Sequence, residues 1–443
     1  MTSTTAPQQS LEDIQRKLAS GDLPAAGDMI DKLLPEFSGD PNLAYLSALR
    51  YRLAGDPARA MASLSDLTAN FPAMARAHQE VAVNSLSLNL PEQALEAAER
   101  AVALDGSLMT CWELLIPLYA RFAPEKRDGA DQQIAFLKSL PQELRTVMSY
   151  LAQDLLNDAE RLCKYFLRDN KTHTEGMRLL SEVLTRKNIL DEAQFLLETL
   201  HELEPENLAA SIQLFHVMMR RQRFHSAYEL AGELRAQQPH DDDQIAKAYA
   251  AACFAVGQTD EAGVLYEKLQ QVHPTDHQIP ISQGHIYNAS GDRASAINAF
   301  KASAAIKPDH GDAYWSLANT KSYKFDDDQI LQMKDLEQDA TIGSVDRIQI
   351  CFALGKALED KHQFDAAFEF YARGNALKLP TTHFNAKQLS KRIEAQIEVC
   401  TKALFEQVGD VGVAAKDPIF IVGLPRAGST LLEQILASHS QVD

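Results

Sequence analysis

The chain has 443 residues, with 43 Lys plus Arg against 61 Asp plus Glu, and a formal net charge of −18. This acidity argues against a general nucleic-acid binder and against a protein held on an anionic membrane, because both of those surfaces repel negative charge. The N-terminus has no apolar leader, and no later stretch approaches 18 consecutive apolar residues. We therefore expect a cytoplasmic protein that does not enter a membrane.

The five cysteines all fall within apolar helical patterns, and none lies within four residues of another. This spacing predicts free thiols buried in a core and gives no disulfide pairing and no metal-binding motif. The cysteines are Cys111, Cys163, Cys253, Cys351 and Cys400.

Most of the chain repeats with a period of about 34 residues. The recurring alanines are Ala26, Ala60, Ala94, Ala159, Ala193, Ala227, Ala262, Ala296 and Ala367. Five residues before several of them stands a glycine, at Gly21, Gly55, Gly257 and Gly291, and prolines follow at Pro72, Pro205, Pro239, Pro274 and Pro308. A 34-residue helix–turn–helix unit is the period of tetratricopeptide repeats. The pattern predicts about ten or eleven helix pairs between residues 7 and 380.

Each residue type in the repeat has a mechanical role. Small residues such as Gly284 and Ala296 allow paired helices to cross closely, and an aromatic residue such as Phe300 fills the space beside them. The period slips twice, so we expect an altered loop at residues 121–131 and an irregular helix capped by the acidic residues 326–328. A segment at 381–416 follows the repeats, with an amphipathic helix at about 384–407 that would cap the array.

A stack of helix pairs has a continuous concave face, and such faces bind peptides or protein segments. A protein or peptide partner on this face is therefore our first expectation for the repeats. A spacer or a dimer-forming arm is the alternative that the sequence leaves open.

The character of the sequence changes at residue 417. PIFIV, residues 418–422, is a short apolar run typical of a buried parallel strand, and the stripe Leu431, Leu432, Ile435 and Leu436 indicates a helix. Between them lies GLPRAGST, residues 423–430. Strand, glycine-bounded loop and helix is the context in which backbone N–H groups and the helix dipole hold a phosphate.

The loop differs from a nucleotide P-loop at one critical position. Gly423, Gly428 and Thr430 have the P-loop spacing, but Ser429 stands where the lysine that reaches the terminal phosphates belongs. The loop's cation is Arg426, ahead of Gly428. A kinase or ATPase is therefore disfavoured, and the arrangement suits a 5′-phosphate held by the loop with a second anionic group near Arg426.

The stretch PIFIVGLPRAGSTLLEQILASH resembles the 5′-phosphosulfate loop of sulfotransferases, above all tyrosylprotein sulfotransferases and bacterial proteins that join tetratricopeptide repeats to a sulfotransferase domain. The resemblance implies an α-helical tetratricopeptide solenoid at 7–380, then the first strand, loop and helix of a P-loop-like α/β sulfotransferase domain at 417–443. It implies that the donor substrate is PAPS (3′-phosphoadenosine 5′-phosphosulfate), that Arg426 is the catalytic cation near the sulfonate, and that Arg426, Ala427, Gly428, Ser429 and Thr430 bind the donor. Ala427 replaces the usual serine, so one hydroxyl is lost while the backbone amide remains.

One strand and one helix leave backbone groups unpaired and do not form a stable sheet, so we expect these residues to be part of a longer protein. The general base would lie beyond Asp443, because His439 is about 14 Å along the helix from Thr430. The 443 residues alone are then expected to be inactive. The acceptor hydroxyl stays open between a tyrosine in a peptide, a glycan and a small alcohol. A repeat scaffold without catalysis is the alternative function, and a P-loop kinase is a more distant one.

Overall fold

The computed structural model describes residues 5–237, 243–320, 322–339, 341–382, 385–409, 411–412, 415, 417–424 and 427–442. Two compact units divide the chain, Met1–Tyr323 and Lys324–Asp443. Within the described ranges the regular structure is helical throughout, and none of the helices is both long and apolar enough to cross a membrane.

The first unit contains nineteen described helices. Their bounds are α1 Gln8–Ala19, α2 Leu23–Leu33, α3 Pro41–Leu53, α4 Pro57–Asn70, α5 Ala75–Ser87, α6 Pro91–Leu104, α7 Met109–Phe122, α8 Arg127–Ser139, α9 Gln142–Ala152, α10 Leu156–Asp169, α11 Thr174–Arg186, α12 Leu190–Leu203, α13 Leu208–Arg220, α14 Phe224–Gln237, α15 Asp243–Ala255, α16 Thr259–Val272, α17 Gln278–Ala289, α18 Arg293–Ile306 and α19 Gly311–Asn319. A 3-10 helix, Pro124–Lys126, lies between α7 and α8.

Consecutive helices from α1 to α18 pack as nine pairs, and, except at α8 and α9, the second helix of a pair also packs on the first helix of the next. Short connections make the helices of each pair antiparallel. First helices of neighbouring pairs also pack on one another from α1 to α7 and from α9 to α15, as α11 does on α13. Along these stretches the first helices lie side by side, and the predicted tetratricopeptide-type fold is confirmed.

The repeat alanines lie where the helices of a pair cross. All eight in the first unit are fully buried, and Ala367 in the second unit is 3% exposed. A larger side chain at these crossings would separate the helices, because protein interiors are close-packed.

The residue five positions before each of the nine repeat alanines has a left-handed backbone. Four of these residues are the glycines of the sequence pattern, with φ between 78° and 87°, and the other five have φ between 56° and 60°. The five are Asn89, Asp154, Asn188, Gln222 and His362. The turn between paired helices thus has the same conformation in the nine pairs that carry a repeat alanine, whether or not glycine supplies it, whereas α7 and α8 are joined by the 3-10 helix.

Two local expectations are corrected. The altered loop predicted at 121–131 is shorter in the structure. Helix α7 ends at Phe122 and α8 begins at Arg127, and the 3-10 helix lies in the short connection between them. Pro124 suits the first turn of that helix because it has no N–H group to satisfy. Cys400 is exposed, whereas the other four cysteines are buried as predicted.

The second unit has six helices in its described part. They are α20 Asp327–Gln338, α21 Ser344–Asp360, α22 Phe364–Lys378, α23 Ala386–Val399, α24 Lys402–Val408 and α25 Ser429–Ala437, with a 3-10 helix at Leu379–Thr381. Helices α20 to α22 pack together, and α21 and α22 form a further repeat-like pair. Asp326 caps α20 as predicted, in a capping box with Gln329.

The amphipathic helix predicted at 384–407 is divided into two. Helix α23 ends at Val399, and the Thr401 hydroxyl accepts a hydrogen bond of 3.3 Å from the Leu404 N–H, which starts α24 afresh. A threonine that caps a new helix cannot also continue the previous one. No residue of α23 or α24 is buried, and the expectation that this segment caps the array stays a prediction. Phe384 lies outside the described residues.

Candidate phosphate-binding loop

The candidate site lies in the second unit, just before its last described helix. Residues 417–424 have no regular secondary structure and are followed, after the loop, by α25. The Ala427 N–H donates a 3.1 Å hydrogen bond to the Leu424 carbonyl. A Cβ added at Gly423 would lie 3.4 Å from the Cβ of Ala427, so Gly423 and Ala427 also lie close together.

Gly428 joins the loop to the helix. It is the N-cap of α25 with φ 88° and ψ 21°, a left-handed conformation that glycine adopts without strain. Its carbonyl accepts a 3.1 Å hydrogen bond from the Leu432 N–H, the first bond of the helix. A Cβ at this position would meet nothing within 4 Å, so the space in front of the helix start is open.

The first residues of α25 offer donors to a ligand. Ser429, Thr430 and Leu431 have no carbonyl four residues earlier within the helix to accept from their N–H groups, and no side chain caps the helix. The hydroxyls of Ser429 and Thr430 belong to exposed residues at the same end. Outward N–H groups, hydroxyls and the positive end of the helix dipole together form a site suited to an anion.

Four of the five predicted donor-binding residues, the consecutive residues 427–430, lie at the start of α25. Arg426, the predicted catalytic cation, lies outside the described residues, as does Pro425. The assignment of all five residues to donor binding remains a prediction.

The predicted strand at 418–422 is not paired in the described residues. These residues form no ladder, and their apolar side chains are exposed, with Phe420 at 85% and Val422 at 90% exposure. A strand requires a neighbouring strand to satisfy its N–H and C=O groups, and no other described segment provides one. Leu431 and Ile435 of α25 are exposed as well.

His439 lies just after the C-terminal end of α25. Its Nδ1 accepts a 3.3 Å hydrogen bond from the Gln441 N–H, and its backbone N–H donates to the Leu436 carbonyl. These contacts are those of a residue that terminates a helix. Elsewhere in the described ranges, no three His, Cys, Asp or Glu side chains are grouped closely enough to hold a metal ion.

The fold and the loop together define a class: a tetratricopeptide-type helical array followed by a loop that leads into a short helix. Residues 418–443, which contain this loop and helix, match the model of the sulfotransferase family. The chain thus joins a tetratricopeptide-type array to a segment that matches the sulfotransferase family.

A comparison with individual proteins gives a match over part of the chain. An uncharacterized protein of Aquifex aeolicus (strain VF5) is 30% identical over 182 residues, which are 41% of this chain and 24% of the relative. The chain therefore matches about a quarter of that relative's length.

Among solved structures, a tetratricopeptide repeat protein from Parabacteroides merdae has a TM-score of 0.41 at 14% identity, covering 64% of this chain and 98% of its own. The human IFIT1 dimer with PPP-AAAA has a TM-score of 0.44 at 16% identity, with 68% and 76% covered. The Cut9–Hcn1 hetero-tetramer of APC/C has a TM-score of 0.39 at 16% identity, with 85% and 79% covered.

Proposed function

We propose that this protein transfers a sulfonate group from PAPS to a hydroxyl acceptor, and that its repeat array binds a protein or peptide partner. The observation that carries the proposal is the coincidence of two features at one place. The sulfotransferase-family match spans residues 418–443, and within it Gly428 starts α25 with its N–H donors open.

Each loop residue has a role in this proposal. The N–H groups from Ala427 to Thr430 and the two hydroxyls hold the non-bridging oxygens of the donor's 5′-phosphate, which are already charged in the ground state. Arg426 is assigned to the sulfonate and to the bridging oxygen, where negative charge grows as the S–O bond breaks and the phosphate departs. Donors fixed by a helix start cost no reorganisation when that charge develops, which is the usual source of electrostatic catalysis.

The 443 residues are proposed to be inactive alone and to act within a longer protein. The apolar side chains of residues 417–424 and of α25 are exposed, so further strands and helices are needed to cover them and to fix the loop. The general base that takes the acceptor's proton would come from those elements.

A second candidate function is a repeat scaffold that binds a partner without catalysis. The observation in its favour is that helix pairs account for most of the described chain, while the family match is confined to residues 418–443. In this case the loop would hold an anion or none.

A titration separates the two functions. The protein carrying a complete sulfotransferase-family domain is titrated with PAP (3′-phosphoadenosine 5′-phosphate) and, in parallel, with ATP by calorimetry. We expect PAP to bind at least ten times more tightly, since the loop lacks the lysine that a γ-phosphate requires. Transfer of label from PAPS to acceptors is then measured. Equal or tighter binding of ATP would contradict the donor assignment, and PAP binding without any transfer would favour the scaffold.

A further inference from the structure

A groove in the first unit crosses the first helices of three successive pairs, α13, α15 and α17. Its floor is apolar, and residues one repeat apart face it from equivalent positions. The residues that line it are Ile212, Phe215, His216, Met219, Gln244, Lys247, Ala248, Ala251, Tyr266, Gln278, Ile279 and Ser282.

The groove carries no uncompensated formal charge. Lys247 is the cation among its lining residues, and its Nζ lies 2.6 Å from Oδ2 of Asp276. Oδ1 of Asp276 accepts a further 3.0 Å hydrogen bond from the Gln278 N–H. Burial, the largest single effect, would raise the pKa of Asp276, but the hydrogen bonds from Lys247 and the Gln278 N–H and the positive charge of Lys247 together outweigh it and lower the pKa, so the carboxylate that faces Lys247 stays ionised.

The imidazole at the edge of the groove is also neutral. His216 is exposed on one side, yet its ring packs edge-on against Phe215 with the centroids 5.4 Å apart. Desolvation by these neighbours lowers the pKa of His216. At pH 7 the ring is therefore uncharged, and it adds an aromatic surface to the groove rather than a positive charge.

The apolar floor is local, because the same face carries charged side chains one repeat earlier. On α11 the guanidinium of Arg178 binds Glu175 at 2.6 Å and lies 3.7 Å from Glu182, which also pairs with Arg186 at 2.7 Å. Arg178 stands 15 residues before its repeat alanine, as Ile212 and Lys247 do before theirs. The repeat position that holds a charged side chain on α11 therefore holds an apolar one on α13.

A neutral groove with an apolar floor selects against charged ligands. An ionised side chain would lose water there without gaining a free partner, and such desolvation is costly. An aromatic side chain would instead bury its ring against Met219 and Tyr266, and thioethers contact aromatic rings favourably. Three helices side by side span about 16–20 Å, which matches about five or six residues of extended chain.

We infer that this groove binds an uncharged peptide segment that carries an aromatic side chain. The inference rests on the part of the proposed function that assigns a protein or peptide partner to the repeats. It adds which helices form the site and what chemistry the partner has, and it does not depend on donor binding by the loop.

Selection from a random library of displayed dodecapeptides tests the inference with the whole 443-residue chain as bait. We expect the selected peptides to be at least fivefold enriched in Phe, Tyr and Trp and depleted in Asp, Glu, Lys and Arg. Ala251→Glu places a carboxylate on the groove floor and should reduce binding of the best selected peptide at least tenfold. Lys268→Met, which removes an exposed lysine of α16 outside the groove, is the matched control and should leave binding unchanged.

A second variant keeps the test decisive if Ala251→Glu melts at a lower temperature than the parent. Lys247→Met leaves Asp276 uncompensated, and the selected peptides should then shift towards Lys and Arg. Charged peptides selected by the parent chain, or a preference unchanged in Lys247→Met, would overturn the inference while leaving peptide binding intact. Failure to select any peptide above a bait-free control would overturn peptide binding by the repeats as well.

Discussion

A Cβ built on Gly284 would lie 2.3 Å from Cε1 of Phe300, so the Phe300 ring of α18 packs directly on the backbone of α17. Phe300 is only 1% exposed, and it has no free space into which to retreat. The same relationship recurs in the second unit, where a Cβ on Gly355 would lie 2.5 Å from the Tyr371 ring. In both pairs the aromatic residue follows the glycine by 16 positions, so the contact is a property of the repeat.

Gly284→Ala should therefore destabilise the array, although alanine is the better helix former. Overpacking of a filled site costs about 1–3 kcal/mol, which exceeds the gain of about 0.5–1 kcal/mol that alanine brings to a helix interior. Urea denaturation followed by circular dichroism measures the change.

Gly263→Ala is the matched control for that experiment. Gly263 lies inside α16, and a Cβ there would meet nothing within 4 Å. This substitution should leave stability unchanged or raise it by up to about 1 kcal/mol. If both glycine variants behaved alike, the close crossing at Phe300 would not be a stabilising constraint.

The left-handed turn position predicts stabilising substitutions. Gln222 and His362 each have φ 59°, a conformation that costs a non-glycine residue about 1–2 kcal/mol. Gln222→Gly and His362→Gly should each raise stability by up to about 1 kcal/mol, after the larger entropy loss of glycine on folding is subtracted. Gly257→Ala, at the same position of another repeat, should lower stability by a similar amount. Thermal melts of the three variants would show opposite shifts, and shifts of one sign would contradict the assignment.

The helix pairs were predictable because the repeat records them directly in the sequence. Ala26 to Ala296 mark buried crossings at a fixed period, and every one of them is buried in the structure. The turn positions were predictable where glycine occupies them, as at Gly55. At Gln222 and His362 no residue preference reveals the conformation, because it is imposed by the packing of the two helices that flank the turn.

The remaining elements depend on contacts that a local pattern does not record. PIFIV has the composition of a buried strand, but pairing requires a partner segment that the described residues do not supply. Cys400 follows an apolar helical pattern like the other cysteines, and yet no residue of the preceding helix, α23, is buried. The groove residues were missed for a different reason. Their signal is a constant distance from the repeat alanine, which becomes informative only when the first helices are known to lie side by side.

Thiol reactivity should distinguish the exposed cysteine from the buried ones. Burial raises the pKa of Cys111 and of Cys163 to about 12, and that of Cys351 to about 11, so these thiols are neutral and shielded at pH 8. Cys400 is exposed. Ellman's reagent should modify one thiol rapidly in the folded protein and the rest only after denaturation, because the thiolate is the reactive form. Cys400→Ser should abolish the rapid phase, whereas Cys163→Ser should leave it intact.

The ion pairs at Asp360 predict a pH-dependent contribution to stability. Burial alone would raise the pKa of Asp360, but hydrogen bonds from Lys324 and Lys356, with N–O distances of 2.6 and 2.5 Å, outweigh it and lower the pKa. A lowered folded-state pKa gives stability that is fully present above the ordinary carboxyl pKa of about 3.9 and is lost as pH falls through the folded value.

Asp360→Asn should therefore be less stable than the parent at pH 6, and the difference should shrink as the pH falls below about 4. Urea denaturation at a series of pH values measures it. Asp365→Asn, which removes an exposed carboxylate of α22, is the control and should show a difference that is small at every pH. A gap between parent and Asp360→Asn that widens in acid would reverse the sign argued here.

The phosphate loop predicts that two neighbouring substitutions will separate donor binding from turnover, in the protein with a complete sulfotransferase-family domain. Thr430 belongs to the first turn of α25, and we propose that its hydroxyl donates to a non-bridging oxygen of the 5′-phosphate, an interaction that is already made in the ground state. Thr430→Ala should thus weaken PAP binding by about 1–3 kcal/mol, the worth of a charge-assisted hydrogen bond, with a smaller effect on kcat.

Arg426 is proposed to contact the bridging oxygen, on which negative charge grows in the transition state. Arg426→Ala should thus lower kcat by a larger factor than it raises the Kd for PAP, because interactions made in the transition state appear in turnover. Thr430→Ser keeps the hydroxyl and should restore binding, which separates loss of the hydrogen bond from a misfolded loop. Wild-type turnover in Arg426→Ala, or equal losses of PAP affinity and kcat in both variants, would contradict the assignment of Thr430 to donor binding and of Arg426 to turnover.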